Sequence, residues 1–186
     1  MKLTAGSFTQ AAPLELRIDP RLKNVTQADL QKEFELAVKI TDSNQALHTA
    51  VNQIRELRAE LITLKKWAGE SAQAQQVVAA ADELSKKMTP IEEKLMQVQM
   101  KSSEGNLRYP NELNEAFDSL SHTIEYADAA PTRPQYAVYD LLNGKLQEQL
   151  KALRELLDRD LPALNDLMRK TGVPVLTVPS GTPAGS

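Results

Sequence analysis

Between Arg21 and Ala68 the chain carries neither glycine nor proline, and apolar residues recur through this stretch at spacings of three and four. Leu30, Phe34, Ala37, Ile40, Leu47, Val51, Ile54, Leu57, Leu61 and Leu64 form the series, with a polar slot only near Asn44. That is the period of an amphipathic helix. Thr26-Gln27-Ala28-Asp29 supplies its start, a hydroxyl N-cap with an acid three residues on. The spacing predicts one helix of about 40 residues, roughly 60 Å long. A rod of that length cannot cover its own apolar stripe, so the rest of the chain, or a second copy, must do so. Arg55 and Arg58 beside Glu56 and Glu60 read as an exposed, salt-laced surface.

Three further helices are expected. The second runs from about Ser71 to Met100, with Val77, Val78, Ala81, Leu84, Met88, Ile91, Leu95 and Val98 inside. Thr89-Pro90 falls in its middle and either kinks it or splits it in two. A loop at Ser102–Asn106 and the turn Tyr109-Pro110-Asn111 lead to a third helix with Leu113, Phe117, Leu120 and Ile124. After the restricted connection Ala130–Pro134, the fourth carries Tyr139, Leu142, Leu146, Leu150, Leu153, Leu157, Leu161, Leu164 and Met168. Gly144 and Pro162 are its weak points and Gly172 its C-cap. The fold class expected is mainly α, an antiparallel bundle of three to four helices, two of them long, with a short N-terminal β-ribbon. Three long arms, one interrupted, is the preferred form; a coiled-coil homodimer would satisfy the same stripes.

The first 25 residues do not read as helix. Leu14, Leu16 and Ile18 alternate with Glu15, Arg17 and Asp19 between Pro13 and Pro20, the period of a half-buried strand, and Met1–Thr4 could pair with it through Gly6-Ser7. A two-stranded ribbon is marginal in water, so this piece reads as the end of something larger. The domain reading is therefore a ribbon at 1–25, a bundle at 26–172 and a Pro/Gly/Ser-rich tail at 173–186 that runs free at its end.

Composition removes several function classes. The 22 basic and 25 acidic side chains give a formal net charge of −3, so nucleic-acid binding through phosphate neutralisation is not expected. Residues 69–130 hold eleven of the acids against five bases, an acidic face that is solvated or meets a basic partner. The absence of cysteine excludes disulfides, thiol catalysis and thiolate metal sites. No apolar run approaches the roughly 20 residues that cross a bilayer.

Candidate chemistry is sparse. His48 has no ligand partner at helical spacing. His122, with Asp118 and Glu125 nearby, has the look of half a di-metal carboxylate site, but the order is reversed and no second copy exists. Glu92-Glu93, Asp82-Glu83 and Asp158 with Asp160 lie off the apolar stripes and are expected to face outward. No Gly-x-Ser-x-Gly elbow, Ser-x-x-Lys context or glycine-rich phosphate loop occurs. No catalytic, cofactor or metal residue is assigned. The candidate interaction surface is Trp67, Tyr109, Tyr126, Tyr136 and Tyr139. Trp67 reads first as capping the bundle end against a loop, and otherwise as a partner anchor or a membrane-interface residue. The four tyrosines, around the connections flanking the third helix, read first as packed rings whose hydroxyls satisfy loop backbone, and otherwise as an aromatic docking surface.

Four segments in order carry a resemblance. Leu14–Ile18 running into Asp19-Pro20-Arg21-Leu22, then Thr26-Gln27-Ala28-Asp29-Leu30, then Tyr109-Pro110-Asn111-Glu112-Leu113, then Ala129–Tyr136 resemble the C-terminal region of bacterial sortilin-like or BNR-repeat "glycosyl hydrolase" β-propeller proteins. The likeness covers the chain to about Val175. It implies a propeller, a small immunoglobulin-like β-domain whose last strands are residues 1–18, and then this helical region. No family catalytic residue falls on this sequence, and export of such proteins implies an extracytoplasmic location. The function expected is a non-catalytic helical module of a larger protein, serving docking or oligomerisation, with other domains of its own chain or a second copy as partners. The alternative is a free-standing helical adaptor that binds partner helices.

Overall fold

In a computed structural model of the protein, residues 1–15, 17–69, 71–102, 105 and 107–181 are described. Strands β1 (Lys2–Ala5) and β2 (Phe8–Ala11) precede helices α1 (Gln27–Trp67), α2 (Ala72–Leu95), α3 (Leu113–Glu125), α4 (Arg133–Glu155) and α5 (Leu161–Thr171), with a π-turn at Leu156–Asp160 joining the last two. The molecule is mainly helical, with an N-terminal two-stranded ribbon.

The long helix forms as its sequence predicts. Thr26 caps it: the Asp29 amide donates to the Thr26 hydroxyl and the Thr26 amide to the Asp29 carboxylate. The buried residues are Leu36, Ile40, Ser43, Leu47, Ala50, Val51, Ile54, Leu57, Leu61 and Leu64. Apart from Val51, which widens the stripe beside Ala50, their steps alternate four and three, the mean of 3.5 that keeps a straight seam facing neighbouring helices. Phe34, placed inside from the sequence, stands 62% exposed, because the true seam passes through Leu36 and through Ser43. Ser43 is tolerated there because its hydroxyl donates to the Lys39 carbonyl and lies 3.4 Å from the Tyr139 hydroxyl.

α2 returns antiparallel, and Arg55 and Arg58 reach Glu92 while Lys65 pairs with Asp82. It ends at Leu95 rather than near Met100, and Val98 beyond it is exposed. Pro90 lies within the helix without splitting it: α2 runs from Ala72 to Leu95 with Pro90 on the exposed face, so the acceptor it leaves unpaired is on the solvent side. α3 continues along α1 in the same direction, and the Ala129 amide donates to the Glu33 carboxylate near the start of α1. α2 and α3 are thus one interrupted arm. α4, the π-turn and α5 form the third arm, which runs back beside both.

Pro162 is absorbed by that π-turn. The Leu161 amide donates to the Leu156 carbonyl, a five-residue step that gives the proline ring room and moves the apolar phase by one residue. Leu156, three residues after Leu153, is buried in regular phase; a regular helix would next bring Asp160 to the seam, and the π-turn brings Leu161 there instead, followed by Leu164 and Met168. Gly144 leaves α4 unbroken. One apolar core lines all three arms, with Phe117, Met88 and Leu146 fully enclosed.

The ribbon lies earlier than expected. β2 is Phe8–Ala11; Leu14, Glu15, Arg17 and Ile18 form no strand, and Leu16 falls outside the described residues. The Gly6-Ser7 turn, with Gly6 at φ 59°, is where the sequence placed it, and it pairs Ala5 with Phe8 through Lys2 with Ala11. The alternation at 14–18 is real, but two prolines bracket it, and proline removes the donors a ladder needs.

Candidate docking site

The C-terminal segment beyond α5 builds the most distinctive surface of the molecule. Gly172 takes the left-handed conformation that ends α5, and the chain then turns back along α1 as an extended strap, 173–181. Its attachments come from side-chain amides. Asn165, buried on α5, donates to the Leu176 carbonyl at 2.8 Å and accepts from the Leu176 amide at 2.8 Å. Gln53 donates to the Pro179 carbonyl and Asn52 to the Gly181 carbonyl. Gly181 combines a φ of 68° with a backbone approach to Thr49 so close that a Cβ would collide with the Thr49 carbonyl. The tail was expected to run free at its end. Its first nine residues dock on the bundle, and the end to which that expectation applies, residues 182–186, lies outside the described part.

Where the strap leaves α5 it forms one wall of a groove of about 560 Å³; the last two turns of α1 form the other. Ala59, Glu60, Thr63, Leu64 and Trp67 line one side, spaced so that one helix face presents them all. Val173 to Leu176 line the opposite side. Trp67 is 80% exposed, so it does not cap the bundle against a loop as its position suggested. Within this apolar setting the Glu60 Oε2 atom is shielded from solvent and has no hydrogen-bond partner among the described residues. The Thr63 hydroxyl, the other polar group on that wall, donates to the Ala59 carbonyl of its own helix.

The remaining candidate residues do not join Trp67. Tyr126, 91% exposed, follows α3 beside the connection that touches Glu33, so it stands at the opposite end of α1, roughly 50 Å away at 1.5 Å per residue. Tyr136 and Tyr139 are half-buried against the core. Tyr109 is half-buried beneath Arg108, whose guanidinium lies 5.6 Å from the ring centre. The five aromatics are therefore distributed over the bundle rather than gathered into one surface. The groove escaped the sequence because the strap wall depends on Asn165, Gln53 and Asn52 catching a segment far along the chain.

Two of the paired acids turn inward, against expectation. Glu92 is 6% exposed and accepts from Arg55 Nε at 2.8 Å and Arg58 Nη1 at 2.5 Å, so these arginines serve the α1–α2 seam rather than Glu56 and Glu60. Burial opposes its charge, but the two guanidiniums outweigh that and hold its carboxyl below the usual carboxylate range. Asp160 is likewise held low by Arg159 and Lys87. His122 is exposed; its Nδ1 donates to the Asp118 carbonyl at 2.8 Å, which raises its pKa, and Glu125 is engaged by Ser121. Among the described residues no three His, Asp or Glu side chains are grouped to hold a metal ion, and no helix is long and apolar enough to cross a membrane.

The ribbon presents the second open surface. Cross-strand partners share a face, so Leu3, Gln10, Ala5 and Phe8 lie on one side, while Lys2, Ala11, Thr4 and Thr9 lie on the other. The Thr4 and Thr9 hydroxyls bond across the second face. All eight strand residues are exposed, Leu3 at 60% and Phe8 at 55%, and the strands pack on no helix. Compared with known proteins, the chain matches no family model, no curated sequence and no solved structure.

Proposed function

We propose that the chain is a non-catalytic helical docking module of a larger protein, in the manner of the C-terminal region of the sortilin-like propeller proteins its motifs resemble. The observation that carries this reading is the ribbon. Its face of Leu3, Ala5 and Phe8 is apolar and uncovered by the bundle, and an isolated two-stranded sheet is marginal in water. Such a face fits against further β-structure, as it would as the last strands of an immunoglobulin-like domain. The acids in the bundle support a non-catalytic role: Glu92 and Asp160 are charged and each bound by two cations, which leaves neither poised to donate or take up a proton near neutrality.

Immunoblotting of source cells with antiserum to this chain tests the reading. A band several-fold heavier than 20.6 kDa is expected, and a band near 20.6 kDa overturns it. In that case a free-standing helical adaptor, the reading favoured by the open groove at Trp67, takes its place.

A further inference from the structure

We infer that two copies of this chain pair through β2, strand against strand, and so join their ribbons into one antiparallel sheet. The inference needs neither reading above, since a module of a longer chain and a free adaptor carry the same edge. Met1 and Ala12 exchange both backbone hydrogen bonds. Bonded and unbonded pairs alternate along an antiparallel ladder, so Leu3 with Gln10 and Ala5 with Phe8 bond, while Lys2 with Ala11 and Thr4 with Thr9 do not. The amides and carbonyls of Thr9 and Ala11 therefore point outward from β2, and those of Lys2 and Thr4 outward from β1. Among the described residues nothing bonds to these backbone groups, and no helix packs on the strands.

Outward donors and acceptors at two-residue spacing fit one kind of partner, another strand. The two edges differ in what they carry. Edges are blunted by charge or by proline, and β1 has Lys2. β2 has neither within it, and no side chain from Leu3 to Leu14 is charged. The open edge is thus β2, and it is self-complementary. With a two-fold axis at Gln10, Thr9 of each copy bonds in both directions with Ala11 of the other. A shift of two residues either way sets Thr9 against Pro13, which has no donor, or Ala11 against Ser7 in the turn. The axis stands normal to the sheet, so the faces of Leu3, Ala5 and Phe8 fall on the same side. A two-stranded sheet that is marginal in water thereby becomes one of four strands. Lys2 on both outer edges stops further addition, so the pairing closes at two copies.

Light scattering of the chain over a range of concentrations tests this. The mass is expected to stay at 20.6 kDa at about 10 µM, where the ribbon is two-stranded and opens readily, and to approach twice that value by about 1 mM. Gln10 faces Gln10 of the second copy across the axis, in an unbonded pair where side chains lie closest. Gln10→Lys and Gln10→Glu are each expected to weaken association at least about threefold, and their equimolar mixture to recover at least wild-type strength. Helix content by circular dichroism is expected to be unchanged in both, since the ribbon touches no helix. Lys2→Glu, on the far edge, is expected to leave association within about twofold. A mass of 20.6 kDa at about 1 mM overturns the inference. Association that ignores both Gln10 variants also overturns it and places the contact on the helices or at the Trp67 groove. A mixture that associates no better than either variant alone does the same. A larger effect of Lys2→Glu than of Gln10→Lys overturns it in favour of pairing through β1.

Discussion

The two non-helical ends of the chain make opposite use of similar material. The N-terminal ribbon and the C-terminal strap are both extended, and both carry exposed apolar side chains. The ribbon satisfies its backbone with itself and touches no helix, while the strap has no strand partner and is satisfied by Asn165, Gln53 and Asn52. Length does not separate them, but Pro174 and Pro179 remove donors that a strand ladder would need from the strap, and the ribbon has no proline. Docking is decided by whether polar side chains on the helices match the orphan donors and acceptors of the extended segment, since a buried backbone group left unpaired is unfavourable. The strap is therefore part of the bundle, and the ribbon is a separate unit with a free face.

The largest effect sharpens that division by unfolding one side of it. Phe117 on α3 is fully enclosed and far along the bundle from the strap, so Phe117→Ala is expected to reduce stability by about 3–5 kcal/mol. Hydrogen exchange in the variant should show helices and strap losing protection together. Asn165→Ala comes next. It strips both partners from Leu176, and about 1–3 kcal/mol is expected. Here exchange in the strap should accelerate ahead of the helices. A strap that stays protected would mean its apolar contacts, not the amides, hold it.

Acid should separate the strap from the helical seam. The carboxyls of Glu92 and Asp160 are lowered by folding, so their contribution is complete above the ordinary carboxylate value and is lost as pH falls through the folded value. His122 has the opposite sign, and its small contribution disappears as pH rises through its raised value. Thermal melts should therefore fall on the acid side. Glu92→Gln should flatten that limb and reduce neutral stability by about 1–2 kcal/mol, the lower figure because Arg55 is half exposed. The amides that hold the strap do not titrate, so strap protection should follow the bundle in acid rather than precede it.

Much of the helical framework was legible in the sequence, because helix formation is local. The start at Thr26, the span of α3 and the ends at Trp67 and Gly172 follow from caps, breakers and a three-four spacing. What failed was phase. Phe34 and Leu36 both satisfy a helical stripe when counted from Ile40, and only the neighbouring arms select the strict four-three seam that buries Leu36. The same holds for Leu156 against Leu157, which lie three and four residues after Leu153 and equally fit a helical stripe; only packing selects Leu156. Of the candidate site only Trp67 was legible, since the opposing wall is a distant segment and Glu60 looked like one more exposed acid of a salt-laced face. Glu92 misled for the complementary reason: charge predicts exposure unless two arginines on another helix are known to face it.

The smallest expected effect is the most informative about the ribbon. Phe8→Ser removes the largest apolar side chain of its free face and touches no helix. The melting temperature of the isolated chain should change by no more than about 0.5 kcal/mol of equivalent stability, the range of surface substitutions. Amides of Leu3 to Gln10 should exchange rapidly in both proteins, because a two-stranded sheet without cover opens readily. A clear loss of bundle stability would show that the ribbon packs on the helices in solution and would end the contrast with the strap. If stability is unchanged, and the immunoblot shows a longer product that the same substitution destabilises, the face of Leu3, Ala5 and Phe8 has its cover outside this sequence. That outcome would identify the ribbon as the joint through which the module is held.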